Sequence, residues 1–491
     1  MFLMKTRRTV LYLVLLAIAW VLRAFWHPLI MEFLIHPIYA VLFVMEIWII
    51  ILLVRLFRGS RVVKDGKNVT LKLAHPVKKR RVIGVVLIAV ILMICGGVEQ
   101  AWRYKLASTE LSFDSRASLP DFSPIRLVPK PVATRFADDS FQSPQEYLGD
   151  SQIAIIDGSL QRVYPRLPDG WLLYLTQKLS GFVTVNVDSL DRQVKIYDQP
   201  FNTAEHVGVF DNINFRLVSH KYFVTYSSEP IYLKDDQGQW ITVVPYMSYK
   251  GVFVRTPYWA GLSVVRSDGS ITDYTPEEAQ AVSYLKDNRL YPKELATFAA
   301  DAYSYKDGIL NNWFLHKNQA EVVRLPSDET IIHAATNEGL KEVIVAEPYG
   351  RSYGVYRIFL IDAATGERQI ISYDLSSQLT GPIAAADYIR REFPTYNWNT
   401  FSLSEPRPLT IGGQLHWLLS VVPNDNAGIA TTVLLNAQTN KVIKIDSVTQ
   451  LNQLIAGTID VSTVPANDDA DLRSAVDKLQ EQLDALKKLL P

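Results

Sequence analysis

A dense basic segment separates two long apolar runs near the start of the chain, and it restricts the topology more than any other feature. Residues 55–81 contain ten Lys or Arg residues and a single acid, Asp65. Positive charge beside membrane-spanning helices is retained in the cytoplasm. We therefore expect residues 58–81 to form a basic cytoplasmic loop, and the chain beyond the next apolar run to lie outside the cytoplasm.

The apolar runs are long enough to cross a bilayer as helices, which takes about 20 residues. Three such runs are present, at about 9–26, 33–57 and 82–102. Three basic residues precede the first run and agree with a cytoplasmic N-terminus: Lys5, Arg7 and Arg8. A short turn at 28–32 joins the first two runs. A cleaved signal peptide is the alternative for the first run, but a second apolar run follows at once.

Glu46 falls near the middle of the second run. An ionisable group at that depth is a functional candidate by default, because burying its charge is costly. Three explanations remain open: a protonated carboxyl hydrogen-bonded inside a small bundle, an intramembrane contact to a second protein, and conduction of an ion or proton. Arg23, His27 and His36 lie near the outer interface, where they can extend toward water.

Charge is divided unevenly between the two parts of the chain. Residues 1–81 hold 14 basic and 3 acidic residues, and the remainder holds 36 and 47. An acidic exported part argues against binding nucleic acid, while the basic loop can rest on anionic lipid headgroups of the bilayer. The only cysteine, Cys95, lies in the third run, so no disulfide joins the exported part. The only Asn-x-Ser/Thr sequon, at Asn68, is on the cytoplasmic side, which suggests a prokaryotic cell envelope.

The exported part alternates short β-rich segments with turn residues, and its connections are too short for crossover helices. The clearest strands are predicted at 152–156, 181–187, 193–197, 222–226 and 240–246. Capping patterns predict helix starts at Ser143 and Thr275, and proline-initiated helices at 292–303 and 382–391. The predicted fold class is α+β, with mostly antiparallel sheets and interspersed helices after the three transmembrane helices.

The domain prediction follows the helical stretch at 275–305. We interpret residues 1–102 as a membrane anchor and 103–130 as a linker. Two α+β lobes then cover 131–290 and 291–460, and an amphipathic helix covers 468–491.

A strand–turn–strand pattern recurs in the exported part. It occurs at Leu262 to Thr272, Phe359 to Ile371 and Val433 to Ile443, and more loosely at Tyr232 to Val243. The phrases Asp362-Ala-Ala-Thr-Gly366-Glu and Asn436-Ala-Gln-Thr-Asn440-Lys resemble the closing hairpin of PepSY-type domains, small exported α+β modules of bacterial envelope proteins. The resemblance covers about a dozen residues per copy and implies a non-catalytic binding or regulatory module.

The last helix has a leucine-rich seam with the 4-3 spacing of a heptad repeat. Its members are Leu472, Val476, Leu479, Leu483, Leu486 and Leu490. A helix this short is marginal in water, so it must bury this seam. Three partners remain open: a second copy in a coiled coil, its own exported region, or another protein.

No catalytic pattern occurs in the chain. There is no His-Glu-x-x-His, no Gly-x-Ser-x-Gly and no phosphate-binding loop. We expect no cofactor, no metal site and no catalytic residue. Aromatic residues in apparent loops instead suit the binding of sugars or peptides, on whose faces flat rings stack. These candidates are Tyr246, Tyr249, Tyr258, Trp259, Tyr349, Arg351 and Tyr353.

The sequence therefore predicts a membrane-anchored, extracytoplasmic binding or scaffolding protein that is not an enzyme. Two alternatives remain. One is an enzyme acting on an envelope polymer, with a site assembled between the two lobes. The other is an accessory subunit of a transport or secretion complex, for which only Glu46 and the terminal heptads argue.

Overall fold

A computed structural model shows an α+β protein in which four antiparallel sheets follow a set of N-terminal helices. It describes residues 13–14, 17–57, 61–65, 68–72, 79–325, 331–350, 354–374, 379–425 and 428–459. The leucine seam of the predicted C-terminal helix, Arg351 and Tyr353 lie outside these residues.

The described part of the N-terminal region includes three helices with defined bounds and a small hairpin. The helices are α1 (Arg23–Ile35), α2 (Pro37–Phe57) and α3 (Lys79–Glu110), and the hairpin pairs β1 (Arg61–Asp65) with β2 (Asn68–Lys72). Among the described residues, no single helix has the length and apolar composition needed to cross a membrane. Together, α1 and Pro37–Ile51 do meet that requirement, with a bend of 107° between them. The prediction of a short turn at 28–32 is therefore wrong, because these residues belong to α1.

Residues 130–445 repeat one unit four times. Each unit, here called a module, is a helix followed by five antiparallel strands. The first two strands are short and pair one after the other along the third strand, and the fourth and fifth strands continue the sheet. Each of the two predicted lobes contains two modules.

Modules I and II cover residues 130–274. Module I is α4 (Lys130–Ser140) followed by β4 (Glu146–Leu148), β5 (Gln152–Ile156), β6 (Ser159–Pro168), β7 (Leu179–Asn186) and β8 (Val194–Phe201), with α5 (Trp171–Thr176) between β6 and β7. Module II is α6 (Ile213–His220) followed by β9 (Thr225–Tyr226), β10 (Ile231–Lys234), β11 (Trp240–Lys250), β12 (Thr256–Arg266) and β13 (Ile271–Tyr274). Helix α7 (Pro276–Gln280) follows, and Thr275 and Glu278 form the expected capping box.

Modules III and IV cover residues 293–445. Module III is α8 (Lys293–Tyr303), a π-helical turn (Asn311–Leu315), β14 (Ala320–Val322), β15 (Ile332–Thr336), β16 (Gly339–Pro348), β17 (Arg357–Asp362) and β18 (Arg368–Ser372). Module IV is α9 (Pro382–Glu392), β19 (Phe401–Leu403), β20 (Arg407–Ile411), β21 (Gln414–Pro423), β22 (Thr431–Asn436) and β23 (Val442–Ile445), and α10 (Val448–Ile455) closes it.

One hydrogen-bond pattern at the β-hairpin between the fourth and fifth strands recurs in modules I, III and IV. An Asn or Asp ends the fourth strand, and its side chain accepts from the backbone N–H groups two and three residues later: Asn186, Asp362 and Asn436. The next residue donates its N–H to the second residue of the third strand and accepts from the segment that leads into the module's helix; these residues are Val187, Ala363 and Ala437. Each hairpin therefore fixes its own helix to its own sheet.

Other segments also differ from the sequence-based prediction. Residues 103–130, interpreted as a linker, contain the end of α3, buried side chains such as Phe122, and β3 (Asp114–Arg116), which adds to module III in parallel with β18. The helix expected at Ser143 is absent from the structure, where Glu146–Leu148 instead pairs with the end of β6 as strand β4. Strand pairing supplies the backbone hydrogen bonds that a short helix there would have left incomplete.

The modules share their hydrophobic cores with one another. One cluster joins modules I and II around Phe182 and Trp240, and another joins modules II and III around Trp259 and Tyr291. A third joins modules III and IV around Ile358 and Trp417. Because each of these three cores draws side chains from two modules, neighbouring modules stabilise each other.

Candidate functional site

The structure separates the aromatic residues that the sequence grouped as loop candidates. Tyr246 is a buried residue of β11, and its hydroxyl accepts a hydrogen bond of 2.7 Å from Lys221 Nζ. Tyr249 is half-buried and donates to Thr225 Oγ1. The prediction that these residues lie in loops is therefore wrong, because both are strand residues of one long hairpin.

Tyr258 and Trp259 are also strand residues, on β12. Tyr258 is exposed, whereas Trp259 is half-buried, donates from Nε1 to Gly261 O and packs its edge on Tyr291. Tyr349 lies in module III, where it is exposed and stacks on His316 at 3.6 Å between ring centroids. Of the described members of this set, only Tyr258 and Tyr349 are exposed.

A different site lies where α1 contacts module II. Arg23 Nη2 donates to Ser219 O at 2.9 Å, and the Tyr222 hydroxyl donates to Arg23 O at 3.1 Å. His27 is buried, and its Nε2 lies 3.0 Å from Val224 O. Arg23 and His27, expected to extend toward water, instead hold α1 against module II.

A buried polar cluster holds α3 against the end of α1 and against His36, which joins α1 to α2. The Glu99 side chain is fully buried and lies 3.2 Å from Arg103 Nη2 and 3.3 Å from His36 Nδ1. Arg103 Nη2 also donates to Ile35 O at 2.8 Å, and His36 lies 3.8 Å from Glu32. The residue at the bend between α1 and α2 is thus tied to α3 by charged groups.

Between α1 and modules I and II is a cavity of about 610 Å³, here called the juxtahelical cleft. Its lining is mostly apolar, with a few polar groups. The lining residues are Ala24, Phe25, His27, Pro28, Met31, Glu32, Ile35, Tyr174, Val209, Asn212, Asn214, Phe215, Val218, Thr225 and Tyr226. Volume and lining both match those of small-molecule sites in proteins, in which a few polar groups orient a largely apolar ligand.

Two smaller cavities have fewer apolar walls. One of about 530 Å³ lies between Phe122, Leu409 and α10, and one of about 350 Å³ lies between Tyr104 and Arg324. The described residues contain no group of three or more His, Cys, Asp or Glu side chains that could hold a metal ion.

A largely buried ionic cluster lies where the modules meet, although the side chains of Glu229 and Lys293 are 30% and 32% exposed. Its members come from all four modules and the segments that join them: Arg126, Arg162, Glu229, Arg289, Lys293, His333, Glu342, Glu405 and Arg407. Arg289 Nη1 donates to Glu229 at 3.0 Å and its Nη2 to Gln152 at 2.7 Å. Burial alone would raise the pKa of Glu405, but Arg126 and Arg407 hold it below its usual value.

Glu342 and His333 face each other within this cluster across paired strands, 3.6 Å apart. Burial raises the pKa of Glu342 to about 8, although Arg289 opposes the shift. Burial, together with Arg289 and Arg126, lowers the pKa of His333 well below its usual value. Both groups are therefore neutral near pH 7, the form in which burial costs least.

The chain matches no model of a known protein family, no curated protein and no solved structure. The resemblance to PepSY-type hairpins stays a prediction. The site must be interpreted from its geometry alone.

The remaining sequence candidate, Glu46, is exposed on α2, on the same side as Phe43 and Ile50. The described residues give it no hydrogen bond within a helical bundle. The three explanations of Glu46 stay predictions.

Sequence reasoning did not find the juxtahelical cleft, because its walls come from three separate stretches, 24–35, Tyr174 and 209–226. The one available signal was the group Arg23, His27 and Glu32, polar residues within an otherwise apolar segment.

Proposed function

We propose that the protein is a membrane-anchored, extracytoplasmic binding protein that takes an amphipathic lipid into the juxtahelical cleft. The N-terminus and the basic loop lie in the cytoplasm, and the four modules work outside it. The charge pattern supports this topology. The exposed apolar side chains of α2, among them Phe43, Trp48 and Ile51, also support it, because such a surface requires an apolar environment.

The cleft is the observation that carries the proposal. Its walls combine α1, which belongs to the anchor, with modules I and II, so a ligand there contacts both parts at once. Phe25, Met31 and Val218 suit an acyl chain, whereas Glu32 and Asn212 supply polar groups for a headgroup. The same geometry suits a scaffold, since the modules are held to one another by shared cores.

The carboxyl group with the most shifted pKa does not support an enzyme. Glu342 exposes none of its surface, so no polymer can reach it. A catalytic acid must come within hydrogen-bond reach of its substrate. The raised pKa of Glu342 is instead the consequence of burial among four modules.

Photocrosslinking in intact cells tests the proposal. Val209 lines the cleft and is partly exposed, so a photoreactive amino acid can replace it without removing a core contact. Asn452, an exposed residue lining the cavity beside α10, is the matched control position. We expect a lipid adduct, identified by mass spectrometry, at position 209 and none at 452.

An adduct to protein alone at position 209, or equal lipid adducts at both positions, would contradict the proposal. Topology is measured separately with a membrane-impermeant maleimide on Asn452→Cys in a Cys95→Ser background. We expect labelling in intact cells, whereas labelling only after lysis would place the modules in the cytoplasm.

A further inference from the structure

The four modules offer the same loop for comparison: the connection between the third and fourth strands. In module I it contains Trp171-Leu-Leu-Tyr-Leu175, and in module II it is Gly251-Val-Phe-Val-Arg255. In module III it contains Tyr349-Gly-Arg-Ser-Tyr353, and in module IV it is Asn424-Asp-Asn-Ala-Gly428 with Ile429 and Ala430. One structural position thus changes from apolar to polar along the chain.

The apolar loops do not bury their side chains. Helix α5 has no buried residue, and Trp171 is 78% exposed. Val252 and Phe253, at the tip of the β11–β12 hairpin, are 73% and 76% exposed. Contiguous exposed apolar surface of this kind marks a contact with a protein or a membrane.

Both loops lie beside the N-terminal helices. Tyr174 of α5 lines the juxtahelical cleft together with Phe25 of α1. The residues flanking the module II tip, Lys250 and Thr256, both contact Glu110 at the end of α3, at 3.1 Å each. The two loops therefore flank the helices from which the modules emerge.

More exposed apolar side chains occupy the same neighbourhood. Phe210 packs on Phe215, which in turn contacts Phe25 of α1. Phe223, 68% exposed, follows Tyr222, whose hydroxyl binds the Arg23 carbonyl. Helix α1 buries His27 and Met31 and exposes Trp26, Leu29 and Ile30, so its apolar surface adds to that of the loops.

Module IV differs from modules I and II in the polarity of its exposed surface. Its described residues include no large apolar side chain among those that are exposed. It packs on modules I and III, and its corresponding loop carries polar residues. Exposed apolar loops are thus not a property of the repeated fold as such, since the described residues of module IV carry none.

We propose that the module I and II loops insert into the outer leaflet of the membrane in which α2 and α3 are anchored. The inserted side chains are Trp171, Leu172, Leu175, Phe210, Phe223, Val252 and Phe253. Their partner is the boundary between lipid headgroups and acyl chains, the level at which amphipathic helices and aromatic side chains settle. This inference rests on the membrane anchor of the proposed function, and it places the juxtahelical cleft at lipid level.

Depth-dependent quenching tests the insertion in the full-length protein. In a Cys95→Ser background, single cysteines are placed at Leu172, Phe253, Asp425 and Ile50 and labelled with an environment-sensitive fluorophore. The protein is reconstituted into vesicles of phosphatidylethanolamine and phosphatidylglycerol that contain lipids spin-labelled near the headgroup. We expect quenching at positions 172 and 253 to be several-fold stronger than at 425, the matched loop position of module IV.

The label at position 50 on α2 separates the two proposals. Quenching at 50 without quenching at 172 and 253 would overturn loop insertion and leave the anchor intact. Loss of quenching at all positions would overturn the anchor and the insertion together. Since all four side chains are exposed, melting temperatures equal to that of the Cys95→Ser parent are expected and verify that the labelled proteins are folded.

Discussion

Modules II and IV have the same strand order but are stabilised in different ways. Module II contacts α1 and α3 through Arg23, His27 and Glu110 and exposes apolar side chains around those contacts. Module IV lacks contacts of this kind in the described structure and is fixed to modules I and III by shared cores and by Glu405, which accepts from Lys130 N–H. One fold has thus been adapted to two surroundings by changing its loops and its contact residues.

The largest effect on stability is expected for a substitution in module IV. Glu405→Ala leaves the buried Arg126 and Arg407 without their carboxylate, and loss of one member of a buried ionic group costs about 3–5 kcal/mol. We expect a large fall in melting temperature and faster amide hydrogen exchange in β20–β23. The exposed carboxylate variant Asp191→Ala is the control and should change neither measurement. A small effect of Glu405→Ala would mean that module IV does not depend on these charges.

Glu342→Gln tests the junction between the modules through pH. The pKa of Glu342 is raised from an ordinary 4.5 to about 8, so the stability it contributes is complete below pH 4.5 and is lost as pH rises through 8. The Glu342→Gln variant does not lose this stability, because glutamine does not ionise. We expect its advantage in unfolding free energy to grow by about 4 kcal/mol between pH 4.5 and 8.

Melting temperatures across this pH range measure the difference. Glu367→Gln, an exposed position on the same sheet, is the control and should follow the unmodified protein. His333 acts at the other end of the range: its lowered pKa makes both proteins lose stability below about pH 6.5. A constant difference between Glu342→Gln and the unmodified protein at all pH values would contradict burial of a neutral carboxyl.

Arg103→Met tests the module II side. It removes the hydrogen bond to Ile35 O and the charge partner of Glu99, which should weaken local packing by about 2 kcal/mol. Hydrogen exchange should quicken in α1 and α6 and stay unchanged in β20–β23. Lys105→Met, which loses only an exposed hydrogen bond to Lys306 O, is the control. Equal acceleration in module IV would remove the distinction between the two modules.

The smallest effect on stability is expected for substitutions in the hairpins between the fourth and fifth strands. Asn436 of module IV is buried, accepts from two backbone N–H groups and donates to Gln414, so Asn436→Ala should cost about 1–2 kcal/mol. Asp268 in the module II hairpin is fully exposed and accepts from Ser270, so Asp268→Ala should lower the melting temperature less. The reverse order would show that the module II hairpin carries more of the stability.

Local sequence signals predicted much of the secondary structure of the modules. The capping box at Thr275 and Glu278 forms with both of its hydrogen bonds, and the strand at 152–156 lies where predicted. The hairpins at Asp362 and Asn436 also form. In these cases residues within a few positions of one another supply the bonding partners, so the local sequence is sufficient.

The four-module repeat could be recognised only in part from the amino-acid sequence. Module I has the same Asn186–Val187 pattern, but its connection to β8 is longer than the turns of modules III and IV, and this hides the match. One strand position carries Arg162 in module I, Glu342 in module III and Trp417 in module IV. Residue type at this position follows the neighbouring module, and sequence alone does not reveal which modules are neighbours.

The amino-acid sequence by itself determined the apolar runs, the uneven charge, the antiparallel hairpins and the absence of catalytic motifs, because each depends on composition or on nearby residues. Tertiary structure alone decided that Tyr246 is buried and that Arg23 and His27 hold α1 to module II. It also decided that Glu342 stays neutral and that Trp171 and Phe253 are exposed beside the same helices. Burial and electrostatic environment are set by contacts between residues far apart in the chain, and a linear pattern does not contain those contacts.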